Sequence, residues 1–163
     1  MTDIDTAPAH APASPDRLSA EELRAWRGML TVHTRLTAAL DEELQARHGI
    51  SVSAYEVLMF VGDAHDTKLR MADLADRVLL SRSGLTRLVD RLVRDGLIER
   101  CACSDDGRGS FAQLTSDGRE KLDAARRAHL EGVRRLFLGH VSAEEQRTLG
   151  ALWDRVLRAG GSC

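Results

Sequence analysis

The sequence predicts a mainly α (α+β) protein built on a winged helix-turn-helix, with long N- and C-terminal dimerisation helices and a two-stranded wing. Three observations predict it. Two short amphipathic segments, around Met71–Val78 and Ser81–Asp95, flank a tight turn. Two strand-like runs, Leu97–Cys103 and Ser110–Leu114, follow at once and enclose a glycine-containing turn. Helix-opening capping boxes of the form Ser-x-x-Glu recur at Ser19, Ser53 and Ser142.

Residues 1–18 hold all three prolines (Pro8, Pro12, Pro15) among alanines, and are expected to form a disordered tail. Ser19-Ala-Glu-Glu22 then opens a helix carrying Leu23, Trp26, Leu30, His33, Leu36, Leu40 and Leu44 at helical spacing, up to a stop at Gly49. Such a helix spans roughly 40–45 Å at 1.5 Å per residue and should project beyond one subunit's core. Ser53-Ala-Tyr-Glu56 is expected to cap a short helix through Val61, and Gly62–Thr67 to be a loop. In the helix-turn-helix, Met71, Leu74, Ala75 and Val78 share one face. Leu85, Leu88, Val89, Leu92 and Val93 follow the i, i+3, i+4, i+7, i+8 pattern between an N-cap at Ser81 and a stop at Gly96. Asp105–Gly109 is the hairpin turn, Thr115 caps a helix to about Leu138, and Ser142-Ala-Glu-Glu145 opens the last helix. The expected organisation is therefore a tail (1–18), a helical dimerisation region (19–50 and 115–163) and a winged lobe (51–114).

Composition narrows the function. With 43% hydrophobic and 29% charged residues, the chain reads as a globular protein with a real core. Its longest apolar runs, such as Val57–Val61, fall far short of the ~20 residues that cross a bilayer, so no membrane partner is expected. The first fifteen residues contain Asp3 and Asp5 and no apolar stretch, which argues against a signal peptide. Three cysteines suit a reducing cytoplasm. No H-x₃₋₅-H spacing, phosphate loop or nucleophile motif occurs, so no metal, no cofactor and no enzymatic activity is expected.

The net charge of −2 argues mildly against nucleic acid, but its distribution does not. From Arg77 to Arg94 five arginines face one acid, Asp90, a local charge of +4, which leaves −6 for the rest of the chain. Once the apolar stripe of the Ser81–Asp95 helix is buried, Ser83, Thr86, Arg87, Asp90, Arg91 and Arg94 face outward, with Arg82 in the first turn. Hydroxyls and forked guanidinium groups near a helix N-terminus suit base edges in a major groove. The alternative is an ordinary solvated face. Arg108, at the tip of Gly107-Arg108-Gly109, has the placement to enter a minor groove.

These residues carry a resemblance. Leu74–Val78, Ser81–Leu92, Asp95–Arg100 and Asp106-Gly107-Arg108 leading to Leu114-Thr115 make residues 24–157 similar to the MarR family of bacterial transcription regulators. The resemblance implies a homodimer interlocked through its first and last two helices, with recognition helices in successive major grooves of double-stranded operator DNA and wings in the minor grooves. It carries base and backbone contacts over to Arg82, Ser83, Thr86, Arg87 and Arg91, and the minor-groove arginine to Arg108. Two departures stand out. Gly107 replaces the first arginine of the usual Asp-Arg-Arg wing motif, which predicts a looser wing. Leu79 stands where a small residue is common; a left-handed backbone there would cost ~1–2 kcal/mol, which predicts a locally rebuilt turn.

The resemblance also implies a small aromatic or acidic effector between the dimerisation helices and the DNA-binding lobe, with Trp26, His33, Tyr55 and Arg70 as candidates. Trp26 and His33 lie seven apart on one helix face, which is also the core stripe. Packing in the core or dimer interface is the alternative for Trp26 and Tyr55, and a buried, hydrogen-bonded ring for His33. Cys101 and Cys103 point to one face of a strand, a geometry that disfavours a disulfide between them, and Cys163 ends the chain; inert thiols are expected over redox sensing. Against a ligand-responsive repressor stand two rivals: a winged-helix protein-interaction module, and a thiol-responsive regulator. The arginine-rich face argues against the first, because protein-binding faces are richer in apolar and aromatic residues.

Overall fold

The computed structural model describes residues 16–78, 80–102 and 110–160. The chain divides into two units, Met1–Arg35 and Leu36–Cys163. Residues 1–15 of the expected tail, Leu79, Cys103, the hairpin turn with Gly107 and Arg108, and Cys163 lie outside the described residues.

Among the described residues six α-helices and three strands follow in the order α1 (Ala20–His48), α2 (Val52–Gly62), β1 (Lys68–Arg70), α3 (Met71–Arg77), α4 (Arg82–Arg94), β2 (Ile98–Ala102), β3 (Ser110–Leu114), α5 (Ser116–Leu136) and α6 (Ala143–Gly160). Local chemistry sets most boundaries. At α1 the Glu22 amide donates to Ser19 Oγ at 3.2 Å and the Ser19 amide donates to the Glu22 carboxylate at 2.7 Å, the reciprocal pair of a capping box. Ser142 and Glu145 repeat it at α6. Gly49, at φ +67°, ends α1 in the left-handed conformation that glycine adopts without strain.

The cap of α2 corrects the sequence reading. Ser51, not Ser53, is the N-cap, its Oγ accepting from the Ala54 amide at 3.1 Å. The Val52 amide donates instead to Asp41 Oδ1 of α1 at 2.8 Å, so an acid eleven residues upstream serves the first turn. Glu56 is left within the helix, half-buried, and burial raises its carboxyl pKa.

The sheet has order β1-β3-β2, antiparallel throughout, with Arg70 and Cys101 both opposite Phe111. The sequence reading gave only β2 and β3. β1 is three residues long with one buried side chain, Leu69, too short for alternation to register as a pattern. It leaves a turn in which Asp66 and Thr67 both take positive φ.

One core lies within the second unit. Leu44 of α1, Val57, Leu58 and Val61 of α2, Leu74 of α3, Leu85 and Leu92 of α4, Ile98 of β2, Ala112 of β3 and Leu122 of α5 are all buried. Helix α5 ties the elements together. Arg119 donates to the Gly62 carbonyl at 3.1 Å and Lys121 to the His48 carbonyl at 3.2 Å, satisfying acceptors at the ends of α2 and α1. Arg126 pairs with Asp63 at 2.6 Å, Arg47 with Glu131 at 3.1 Å, and Arg135 with Glu43.

Outside that core, large apolar side chains stay open. Trp26, Leu30 and Val32 in the first unit are exposed, as are Leu130, Trp153, Val156 and Leu157 in the second. Among the described residues no helix is long and apolar enough to cross a membrane, and no group of three His, Cys, Asp or Glu could hold a metal ion.

Candidate nucleic-acid interface

Helix α4 is fixed by its two ends and its apolar stripe. Ser81 Oγ accepts from the Gly84 amide at 3.1 Å. Leu85, Leu88, Val89 and Leu92 are buried. At the far end Gly96, at φ +73°, allows the Gly96 amide to reach the Val93 carbonyl and the Leu97 amide to reach that of Leu92, a Schellman closure. With the stripe pinned, 3.6 residues per turn dictate the rest: Arg82, Ser83, Thr86, Arg87, Asp90, Arg91 and Arg94 are all exposed, as the sequence predicts.

The outward groups are chemically distinct. Thr86 Oγ1 donates to the Arg82 carbonyl at 3.0 Å, which spends its proton inside the helix and leaves its lone pairs and methyl group to the outside. Ser83 Oγ lies 3.3 Å from Ser81 Oγ. Arg82, Arg87, Arg91 and Arg94 pair with no acid among the described residues.

Asp90, the one acid on this helix, is answered by a residue that the sequence reading left out. Arg100 of β2 donates to Asp90 Oδ1 at 2.7 Å. This pair offsets the charge that would repel a phosphate, and it ties the base of the wing to α4. Ten residues and an element boundary separate the partners, so no helical or strand period could have indicated it. Both side chains are partly exposed, and the pair contributes at most ~1 kcal/mol to stability. Its expected effect lies in binding. Arg100→Ala should lower affinity for duplex DNA about three- to tenfold while the Tm barely moves, and adding Asp90→Asn should recover much of the loss. Binding titrations on the four proteins of that cycle check this.

The other predicted residues are placed as follows. Arg70, the residue before α3, is exposed and holds its guanidinium 5.1 Å from the centre of the Phe111 ring, a cation–π distance. Tyr55 is in the core, 3% exposed, with its ring 4.5 Å from that of His129. Burial raises the Tyr55 phenol pKa and lowers that of the His129 imidazole, whose Nδ1 is buried without a hydrogen-bond partner. Trp26 is 52% exposed, and His33 is exposed, where a buried, bonded ring was the alternative. Among the described residues of its own unit, nothing covers the long α1 stripe there. Cys101 is half-buried, with Sγ 3.3 Å from Gln113 Oε1.

Comparison with known proteins agrees with this arrangement. The MarR family profile matches residues 48–109, from the end of α1 through the helix-turn-helix to the wing. Sco3205, a MarR family transcriptional regulator from Streptomyces coelicolor solved in complex with DNA, is 33% identical. It superposes with a TM-score of 0.84 over 88% of this chain and 93% of its own. AbsC, a second MarR family regulator from the same organism, is 31% identical, with a TM-score of 0.83 over 88% and 96% of the two chains. The transcriptional repressor YetL of Bacillus subtilis (strain 168) is 24% identical over 142 residues, 85% of this chain and 84% of the relative. The relatives are transcription regulators, and α4 presents the arginine and hydroxyl face that such a task requires. The chain belongs to the MarR family of DNA-binding, winged helix-turn-helix transcription regulators.

Proposed function

We propose that this protein is a homodimeric repressor that reads a pseudo-palindromic operator through α4 and lets go of it when a small aromatic or acidic effector binds. The observation that carries the reading is the outer face of α4. Arg82, Ser83, Thr86, Arg87 and Arg91 stand exposed on a helix whose single acid is already paired. Arg108 is proposed as the minor-groove contact of the wing. Dimerisation is supported by the large apolar groups left open in each unit, Trp26 and Leu30 in one, Trp153 and Leu157 in the other. Leaving such groups in water forgoes ~1.5–3 kcal/mol each.

Two experiments test this together. Selection from random duplex DNA should return a two-fold symmetric site with half-site centres ~10 bp apart or a near multiple. Sedimentation at micromolar concentration should show a dimer. A stable monomer that still binds DNA specifically would contradict the reading.

Among the residues proposed for the effector, Trp26 and His33 are exposed on α1 and Arg70 is exposed with its guanidinium over the Phe111 ring, whereas Tyr55, enclosed by the core, contributes packing. A ligand acts only through different affinities for the two states, and a tenfold loss of operator affinity needs ~1.4 kcal/mol of coupling.

A further inference from the structure

The outer face of α4 has two flanks, and they differ. At 100° per residue Arg82, Thr86 and Asp90 fall on one side, where Arg100 of β2 already occupies Asp90. On the other side a groove of about 430 Å³ opens between α4 and the start of α2, with Arg87, Arg91 and Arg94 on one wall, Ser51 and Ser53 on the other and Leu80 at its end. The three arginines recur at i, i+4 and i+7, so their guanidinium groups line one stripe. No acid among the described residues pairs with any of them. The amides of α2 do not account for the site: Val52 donates to Asp41 and Ala54 to Ser51. What remains is a cationic trough with hydroxyl groups facing it.

We propose that this groove is a seat for the DNA sugar-phosphate backbone, with Arg94 and Ser53 as phosphate-binding residues beside Arg91; this rests on the reading that α4 enters duplex DNA. Length along the helix decides the role. Ser83, in the first turn, and Arg94, in the last, are about 16 Å apart at 1.5 Å per residue. A major groove is only about 12 Å wide and is read by the N-terminal part of a recognition helix. A residue that far along α4 therefore meets the groove's phosphate wall and not its floor. Arg91 and Arg94 supply charge-assisted donors to non-bridging phosphate oxygens, and the Ser53 hydroxyl donates from the opposite wall. Arg87, one turn closer to the N-terminus, stands at the mouth of the groove and stays available to a base.

The proposal separates residues that fix register from residues that read sequence, and salt separates them experimentally. Binding to a selected duplex is titrated between 50 and 300 mM salt for the wild type, Arg94→Gln, Arg94→Lys and Ser53→Ala, each first shown by circular dichroism to be folded. Arg94→Gln should weaken every duplex alike and reduce the slope of log K against log salt by ~1 per half-site. Arg94→Lys should keep most of the slope, because a phosphate accepts a point charge where a guanine edge needs the fork. Ser53→Ala should weaken all sequences alike by about threefold with the slope unchanged, since it removes a neutral donor. The proposal is overturned if Arg94→Gln changes preference at a base position, or if Arg94→Gln and Ser53→Ala both bind as the wild type does. A wild type that binds no selected duplex overturns the parent reading as well, which distinguishes the two failures.

Discussion

Gly118→Ala is expected to lower stability by about 3 kcal/mol, a fall in Tm of roughly 6–12 °C. Gly118 lies in the first turn of α5, its amide donating to the capping hydroxyl of Thr115 at 2.9 Å. A Cβ at this position would stand 1.9 Å from the Leu97 carbonyl oxygen and 2.9 Å from its carbon. The obstacle is backbone, so no side chain can rotate out of the way. The same carbonyl accepts from the Thr115 amide at 3.2 Å, and Thr115 Oγ1 donates to the Gly96 carbonyl at 2.6 Å. Relief therefore requires moving α5 away from the joint between α4 and β2. Alanine's better helix propensity, worth up to ~1 kcal/mol, offsets only part of that cost. Urea and thermal unfolding measure it, and DNA affinity should fall with it, because the joint sets how the wing leaves α4. An unchanged Tm would mean that α5 does not pack this closely.

The second large effect is in recognition. Arg87→Ala should cost ~1–3 kcal/mol on the preferred site, about 5- to 150-fold in affinity, and should relax preference at one position in each half-site. Arg87 is exposed, free of acid partners among the described residues, and in the half of α4 that approaches base edges. It lies on the surface, clear of the buried stripe, so the fold should be unaffected and the loss should belong to the contact. The check is a set of operators, each with one base pair changed, titrated against wild type and variant. Equal loss on every sequence would reassign Arg87 to the phosphates.

The sequence foretold what is local and missed what is not. The start of α1, both ends of α4 and the start of α6 are set by hydrogen bonds spanning three to five residues, so Ser19, Ser81, Gly96 and Ser142 announce them. The outward face of α4 follows from its apolar stripe alone. The cap of α2 is the exception: Ser51 is just as local, but the Ser53-x-x-Glu56 box two residues on competes with it in the sequence. By contrast the Val52 amide in the first turn of α2 is served by Asp41 of another helix, β1 exists because β3 lies beside it, and Arg100 enters the interface only through Asp90. Tyr55 shows the same limit. Its spacing on α2 fits either a ligand or a core, and the His129 ring against it, seventy-four residues later, makes it core. The groove beside α4 needed both of its walls, and the serines of α2 carry no signal for it by themselves.

The most direct test of the account is the spacing dependence of operator binding. In the proposed homodimer two α4 helices must meet major grooves on the same face of the duplex, about one helical turn or a multiple apart. The selected site and the same site with five base pairs inserted between its halves should be titrated side by side at fixed salt. The insertion turns one half-site to the opposite face, and affinity should fall at least about 100-fold, toward the non-specific level. Undiminished binding to the lengthened site would contradict a paired reading by α4.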